Sequence, residues 1–339
     1  MSAHERALAE DIVNPDLIAD GFAEIGGNAD IKQEIHDLVV LPLQRPDIFL
    51  SGASSLRRPP RGILLYGPPG TGKTMLAKAI AKESGAVFVN IRMSTMLNKY
   101  VGESNKLVRA VWSLAAKLAP AVLFLDEIDA FLRHRGADGG SSCDATRTMK
   151  AEFMSSWDGM LSEADPTAHV VVLGATNRPW DCDPAILRRL PRQFEVALPT
   201  ALERRAILGL LLADERLDDD VSLDDLASDD LTDGYSGSDI KELCRAAVMF
   251  PLRELVRRTT GAATEGKSDD APRPLTKADF DKALGSVREA GADAADYQRR
   301  SGGGRQPQLS AGPDPAALMR AMMAAMMAGA TNGGDSRVP

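Results

Sequence analysis

Residues 67–74, Gly-Pro-Pro-Gly-Thr-Gly-Lys-Thr, constrain this chain most: they complete a GxxxxGK[ST] pattern directly after the apolar run Ile63-Leu64-Leu65-Tyr66. The amphipathic stretch Met75-Leu76-Ala77-Lys78-Ala79-Ile80 comes next, so the segment reads as strand, glycine-rich turn and helix. Such a unit aims several backbone N–H groups and the positive end of a helix dipole at one point. That point suits a polyphosphate. Gly67, Pro68, Pro69, Gly70, Thr71 and Gly72 would wrap the phosphates, Lys73 would reach the β- and γ-phosphates, and the Thr74 hydroxyl would sit on Mg²⁺. Alone, the loop specifies only that ATP or GTP is bound.

Short apolar runs alternate with helical patterns from residue 61 to about 200: Gly62–Tyr66, Ala86–Ile91, Ala121–Leu125, Val170–Gly174 and Phe194–Leu198. Strands apolar on both faces indicate a parallel sheet between helices, so residues 22–200 are expected to form one α/β domain. After Pro199-Thr200 only helical patterns remain, and residues 201–290 read as a small helical domain with a mobile loop at 259–274. Residues 1–21 read as a linker. Residues 291–339 read as a flexible tail, in which Met319, Met322, Met323, Met326 and Met327 fall on one face of a helix over 315–328. At 1.5 Å per residue that helix would be roughly 21 Å long, too short for a bilayer.

Composition excludes several classes. A net charge of -8 argues against a general nucleic-acid binder, which needs a basic surface. Nine acids in the seventeen positions Asp214–Asp230 read as a solvated face. The three cysteines, Cys143, Cys182 and Cys244, have no metal-ligand spacing and fit a reducing compartment. With no run of about 18–20 apolar residues, the chain is expected to be soluble.

Two further strands end in polar side chains. Ala121-Val122-Leu123-Phe124-Leu125 runs into Asp126 and Glu127, which places two carboxylates at the sheet edge where α/β proteins bind ligands. Asp126 would hold Mg²⁺, partly through water, and Glu127 would orient and deprotonate the attacking water. Val170–Thr176 runs into Asn177, suited to hydrogen-bonding that water or the γ-phosphate. Downstream, Arg188 and Arg189, with Arg192 nearby, form a basic cluster able to offset charge developing on a γ-phosphate, including one on a neighbouring molecule.

In order and spacing these elements resemble the AAA ATPases, over roughly residues 14–290. The resemblance implies an AAA+ P-loop parallel-sheet domain followed by a small helical lid, with ATP and Mg²⁺ as cofactors. It also implies a homohexamer with ATP at each subunit boundary and the arginines acting in trans. It extends to Gly26 and Gly27, which in the family lie by the adenine, and to Gly237 and Ser238, which close over the nucleotide. Lys99, Tyr100 and Val101 resemble the first pore loop of AAA translocases, where an aromatic and an apolar residue grip an extended polypeptide without reading its sequence. Arg133-His134-Arg135 falls where a second pore loop belongs.

Leu41-Pro42-Leu43, Arg58–Gly62, Phe153-Met154-Ser155, Trp157-Asp158-Gly159 and Gly174–Pro179 are similar to one branch of the family. That branch extracts mislocalised tail-anchored proteins at the cytosolic face of the mitochondrial outer membrane, with the peroxisome as a second location. The chain departs from the branch in lacking an N-terminal transmembrane helix and in reading Arg192-Gln193 where Lys-Arg or Thr-Arg is usual. Polypeptide clients, membrane-inserted or tail-anchored, are the implied partners. Two alternatives stay open: a related remodeller that severs or disassembles protein assemblies, and an ATP-switched scaffold with little turnover.

Overall fold

The computed structural model describes residues 3–8, 11–19, 21–50, 59–92, 104–131, 144–161, 169–261, 271–287 and 297. Lys99, Tyr100 and Val101, the Arg133–Arg135 turn, residues 262–270 and the Met-rich run all lie outside them. The chain divides into two units, Met1–Tyr297 and Gln298–Pro339, and every described residue belongs to the first.

In chain order the elements are α1 (Ala3–Ala7), β1 (Ile12–Val13), α2 (Ala29–Ile35), a π-helical turn (His36–Val40), α3 (Leu41–Gln44), α4 (Pro46–Leu50) and β2 (Gly62–Tyr66). Next come α5 (Lys73–Ser84), β3 (Val87–Arg92), α6 (Ser104–Lys117), β4 (Ala121–Asp126), α7 (Ile128–Phe131), α8 (Asp144–Leu161), β5 (Val170–Thr176), α9 (Pro184–Leu187) and β6 (Arg192–Glu195). The remainder is helical: α10 (Ala201–Leu211), α11 (Leu223–Leu226), α12 (Asp229–Thr232), α13 (Gly237–Gly261) and α14 (Lys277–Val287).

Six strands form one sheet in the order β1-β3-β4-β5-β2-β6. The five strands β2 to β6 are parallel, and β2, β4 and β5 are almost wholly buried, which explains their unbroken apolar runs. The first strand adds an antiparallel member to the expected parallel sheet and comes from residues 1–21, which read as a linker in the sequence. Ile12 and Val13 pair antiparallel with Val89 and Phe88. The buried carboxylate of Glu5, on α1, accepts from Ser113 Oγ at 2.9 Å and from Lys117 Nζ at 2.6 Å on α6. A two-residue strand shows no alternation, and a buried acid does not look like core, so neither signal is visible in sequence.

Each face of the sheet carries its own core. On one, Trp112, Phe153 and Trp157 meet at ring centroid distances of 5.1 to 5.8 Å and pack α6 and α8 over β3, β4 and β5. On the other, Leu76, Ala77 and Ile80 of α5 pack with Ile35, Val39 and Val40 over Ile63, Leu65 and Phe124. Full burial of side chains of this kind is worth about 1.5–3 kcal/mol each.

The helical part has a third core built from Leu208, Leu226, Ile240, Leu243, Leu275 and Phe280, among others. Buried Arg204 staples it: its guanidinium donates to Ala227 O at 2.7 and 3.0 Å, to Pro199 O at 3.1 Å and to Asp229 Oδ1 at 2.5 Å. Arg273 is likewise fixed between Glu254 and Asp279, so the C-terminal end of the expected mobile loop is anchored. Hydrogen bonds from Arg273 hold the Asp279 carboxyl far below the usual carboxylate range, against the opposing effect of burial.

Candidate nucleotide site

The sheet order sets the site. Because β2 lies between β5 and β6, with β4 beyond β5, the C-terminal ends of β2, β5 and β4 stand side by side. The loop 67–72 leaves β2, the Asp126-Glu127 pair ends β4, and Thr176-Asn177 ends β5. Three strands that are distant in sequence therefore deliver their polar ends within about 10 Å, twice the strand spacing.

In the loop, a Cβ on Gly67 (φ 151°) would lie 2.1 Å from Val196 O, so only glycine lets the chain leave β2 here. Lys73 opens α5 and is 8% exposed. Its Nζ donates to Gly67 O at 3.0 Å and to Pro68 O at 2.6 Å. Burial lowers its pKa to about 8, while the charges of Asp126 and Asp129 pull the other way. The ammonium is thus surrounded by loop carbonyls and faces two carboxylates.

Thr74 Oγ1 donates to Asp126 Oδ2 at 3.5 Å, and Asp126 Oδ1 accepts from Glu127 N at 3.0 Å. At 3.5 Å these two oxygens stand about 0.5 Å wider than neighbouring ligands of an octahedral Mg²⁺ with 2.0–2.1 Å bonds, so a small contraction, or a water in place of direct contact with Asp126, would fit the ion. Glu127 has φ 52°, a left-handed backbone costing a non-glycine residue on the order of 1–3 kcal/mol, and its side chain is exposed. Asn177 is exposed at the end of β5.

Two residues that sequence reasoning left without a role join these ends. Thr176 Oγ1 donates to Asp129 Oδ1 at 2.7 Å and accepts from Arg178 N at 2.9 Å. This pair ties the start of α7, just after β4, to the end of β5. The available signal was a third acid three positions after Asp126 and a hydroxyl just before Asn177.

The lid meets the loop directly. Ser238 N donates to Gly70 O at 3.1 Å. Ser236 and Asp239 close the first turn of α13, with Ser236 N to Asp239 Oδ2 at 2.9 Å and Ser236 Oγ to the same oxygen at 2.7 Å. The N-termini of α5 and α13 therefore converge on one loop, adding their positive dipole ends. Gly26 and Gly27 lie against Ile207 and Glu203 of α10.

The arginines occupy the far side. Arg189 Nε donates to Asp158 Oδ1 at 2.7 Å, its Nη2 pairs with Asp158 Oδ2, and its Nη1 donates to Ala185 O at 2.8 Å. Arg192 Nη1 lies 4.0 Å from Glu34 Oε1, with both side chains about half exposed. Arg188 is exposed and has no side-chain partner among the described residues.

Comparison with known proteins agrees with this geometry. Residues 63–198 match the model of the ATPase family associated with various cellular activities (AAA), and residues 220–265 match the AAA+ lid domain. The outer mitochondrial transmembrane helix translocase of Homo sapiens is 43% identical over 295 residues, covering 87% of this chain and 78% of that protein. The mitochondrial sorting homolog of Caenorhabditis elegans is 42% identical over 285 residues, covering 84% and 78%. Among solved structures, the FIGL-1 AAA domain in complex with ADP superposes with a TM-score of 0.70 at 34% identity, covering 88% of this chain and 97% of that one. A structure described as the basis for katanin self-assembly gives 0.67 at 30% identity, covering 88% and 96%. With its phosphate-loop domain and its lid both matched, and with relatives above 40% identity over most of its length, this chain belongs to the AAA family of ATPases.

Proposed function

We propose that this ATPase works as a homohexameric ring that pulls membrane-inserted proteins, tail-anchored ones included, through a central pore at the mitochondrial outer membrane. The observation that carries the reading is the 43% identity, over 87% of the chain, to proteins named as outer mitochondrial transmembrane helix translocases. The AAA and lid matches support the division into a sheet domain and a helical lid that meet near residue 200. Among the described residues no helix is long and apolar enough to cross a membrane.

In this mechanism Lys73 turns from the carbonyls of Gly67 and Pro68 to the β- and γ-phosphates of ATP. Thr74 and Asp126 would hold Mg²⁺, which would neutralise charge on the phosphate oxygens. Glu127, freed from the strand direction by its left-handed backbone, orients a water on the γ-phosphate and takes its proton. Asn177 hydrogen-bonds that water or a γ-oxygen. Thr176 and Asp129 keep the ends of β4 and β5 in register, so these groups stay aligned.

Gly237 and Ser238 cover the phosphates from the lid, and Gly26 and Gly27 flank the base. Arg188 and Arg189 of the neighbouring subunit complete the charge on the transferred group. Lys99, Tyr100 and Val101 line the pore and grip the client by apolar contact, which serves any sequence.

The test uses proteoliposomes carrying a tail-anchored client. The wild-type protein releases the client with ATP. Tyr100→Ala hydrolyses ATP but releases at most a small fraction, and Glu127→Gln binds ATP and releases none. Normal release by Tyr100→Ala would remove pore threading, and normal turnover by Glu127→Gln would remove the assigned base.

A further inference from the structure

The segment before α2 is held from two sides. On one it is fastened to the C-terminal end of α5, the helix that opens at the phosphate loop. Lys82 Nζ donates to Ala19 O at 2.6 Å, and Phe22 N donates to Glu83 Oε1 at 3.2 Å. On the other it is fastened to the lid, where Asn28 N donates to Glu203 Oε1 at 2.6 Å. Lys32 Nζ braces the turn between these attachments through Phe22 O at 3.0 Å and through Ile25 O.

Glu203 serves two structures with its two oxygens. While Oε1 holds Asn28, Oε2 accepts from Thr200 N at 2.9 Å and from Thr200 Oγ1 at 3.0 Å, completing the capping box of α10. Burial opposes its ionisation, yet the hydrogen bonds from Asn28 and Thr200 keep its pKa below the ordinary glutamate value.

The backbone opposite it is shaped to lie flat on α10. Gly27 has φ 79° and Asn28 φ 54°, and a Cβ on Gly27 would lie 2.7 Å from Glu203 Oε1. A Cβ on Gly26 would lie 2.6 Å from Ile207 Cγ1 and 2.8 Å from Ile207 N.

We infer that Glu203 is a positioning residue for the nucleotide base: it locks the Gly26–Gly27 turn to α10, so the wall beside the base is carried by the lid. The inference rests on the reading that the base lies beside Gly26 and Gly27. The lid then engages the nucleotide at two ends, through Ser238 and Gly70 at the phosphates and through Glu203 and Asn28 at the base. Loss of Glu203 frees the base end alone.

Calorimetric titration with ADP and with inorganic tripolyphosphate separates the two ends. Glu203→Ala weakens ADP binding about tenfold, the loss expected of one charge-assisted hydrogen bond, and leaves tripolyphosphate binding unchanged. Glu203→Asp, shorter by one methylene, loses its reach to Asn28 and with it ADP affinity, while tripolyphosphate binding is unchanged. This holds even if the alanine variant fails to fold. Glu203→Gln, which retains an oxygen for Asn28 N, recovers most of the ADP affinity.

Thr200→Ala, which damages only the cap, lowers the melting temperature and leaves ADP binding unchanged. Wild-type ADP binding by Glu203→Asp, or equal loss of ADP and tripolyphosphate, overturns the inference. Gly26→Val distinguishes the underlying reading. If it binds ADP normally, the base is not beside this turn; if it binds ADP weakly while the Glu203 variants do not, the lock alone is wrong.

Discussion

The phosphate-loop end of the site and the arginine end are built in opposite ways. Lys73 is buried, hydrogen-bonded to two carbonyls and faced by Asp126 and Asp129, while Thr74 bonds Asp126 and Thr176 bonds Asp129. The chain organises this end by itself. Arg188 instead projects into solvent without a partner among the described residues, and Arg189 is held by a half-exposed aspartate. In the proposed ring, an exposed cation of this kind would serve a neighbour's γ-phosphate, whereas the buried end would serve the chain's own nucleotide.

Arg188→Ala tests the comparison with the largest expected effect. ATP turnover should fall on the order of a thousandfold with nucleotide binding intact, as measured by steady-state hydrolysis and titration. Mixing this variant with Lys73→Ala should restore part of the activity, since each supplies what the other lacks across a shared boundary. No recovery would place Arg188 within its own site. Glu127→Gln should lower turnover at least about a hundredfold and retain bound ATP, seen as unhydrolysed nucleotide after rapid desalting.

A smaller effect comes from pH. With its pKa near 8, Lys73 is mostly protonated at pH 7 and mostly neutral at pH 9, so ADP affinity should fall about tenfold across that range. The sign for folding is opposite. Because the pKa in the nucleotide-free fold lies below the ordinary 10.5, the unfolded chain binds more protons between pH 8 and 10.5, and this group's contribution to stability rises with pH there.

The smallest effect belongs to Asp158→Ala. It removes the partner of Arg189 and should cost about 0.5–1 kcal/mol, seen as a small drop in melting temperature, with turnover within twofold. A large loss of turnover would show that Asp158 sets how Arg189 is presented to the neighbouring site, beyond bracing the surface.

The placement of the candidate site was legible in sequence where a polar residue ends an apolar run. The loop 67–74, the acids ending β4 and the polar residue ending β5 each come after an apolar run whose burial fixes their placement. Illegible were contacts between residues far apart in the chain. Asp129 with Thr176, and Asn28 with Glu203, are ordinary turn and helix-start residues until the fold brings them within 2.6–2.7 Å. The antiparallel β1 escaped because two residues carry no period, and the extent of the anchored segment around Arg273 escaped because its partners Glu254 and Asp279 lie on separate helices.

The strand order bears on association with other chains as well as on catalysis. One margin of the sheet is β1, only two residues long, and the other is β6, where Arg192 and Glu195 are exposed. Short or charged margins resist strand-to-strand stacking, the route by which apolar sheets aggregate. Contacts between copies of a molecule with such guarded edges would fall to helices and loops rather than to paired strands.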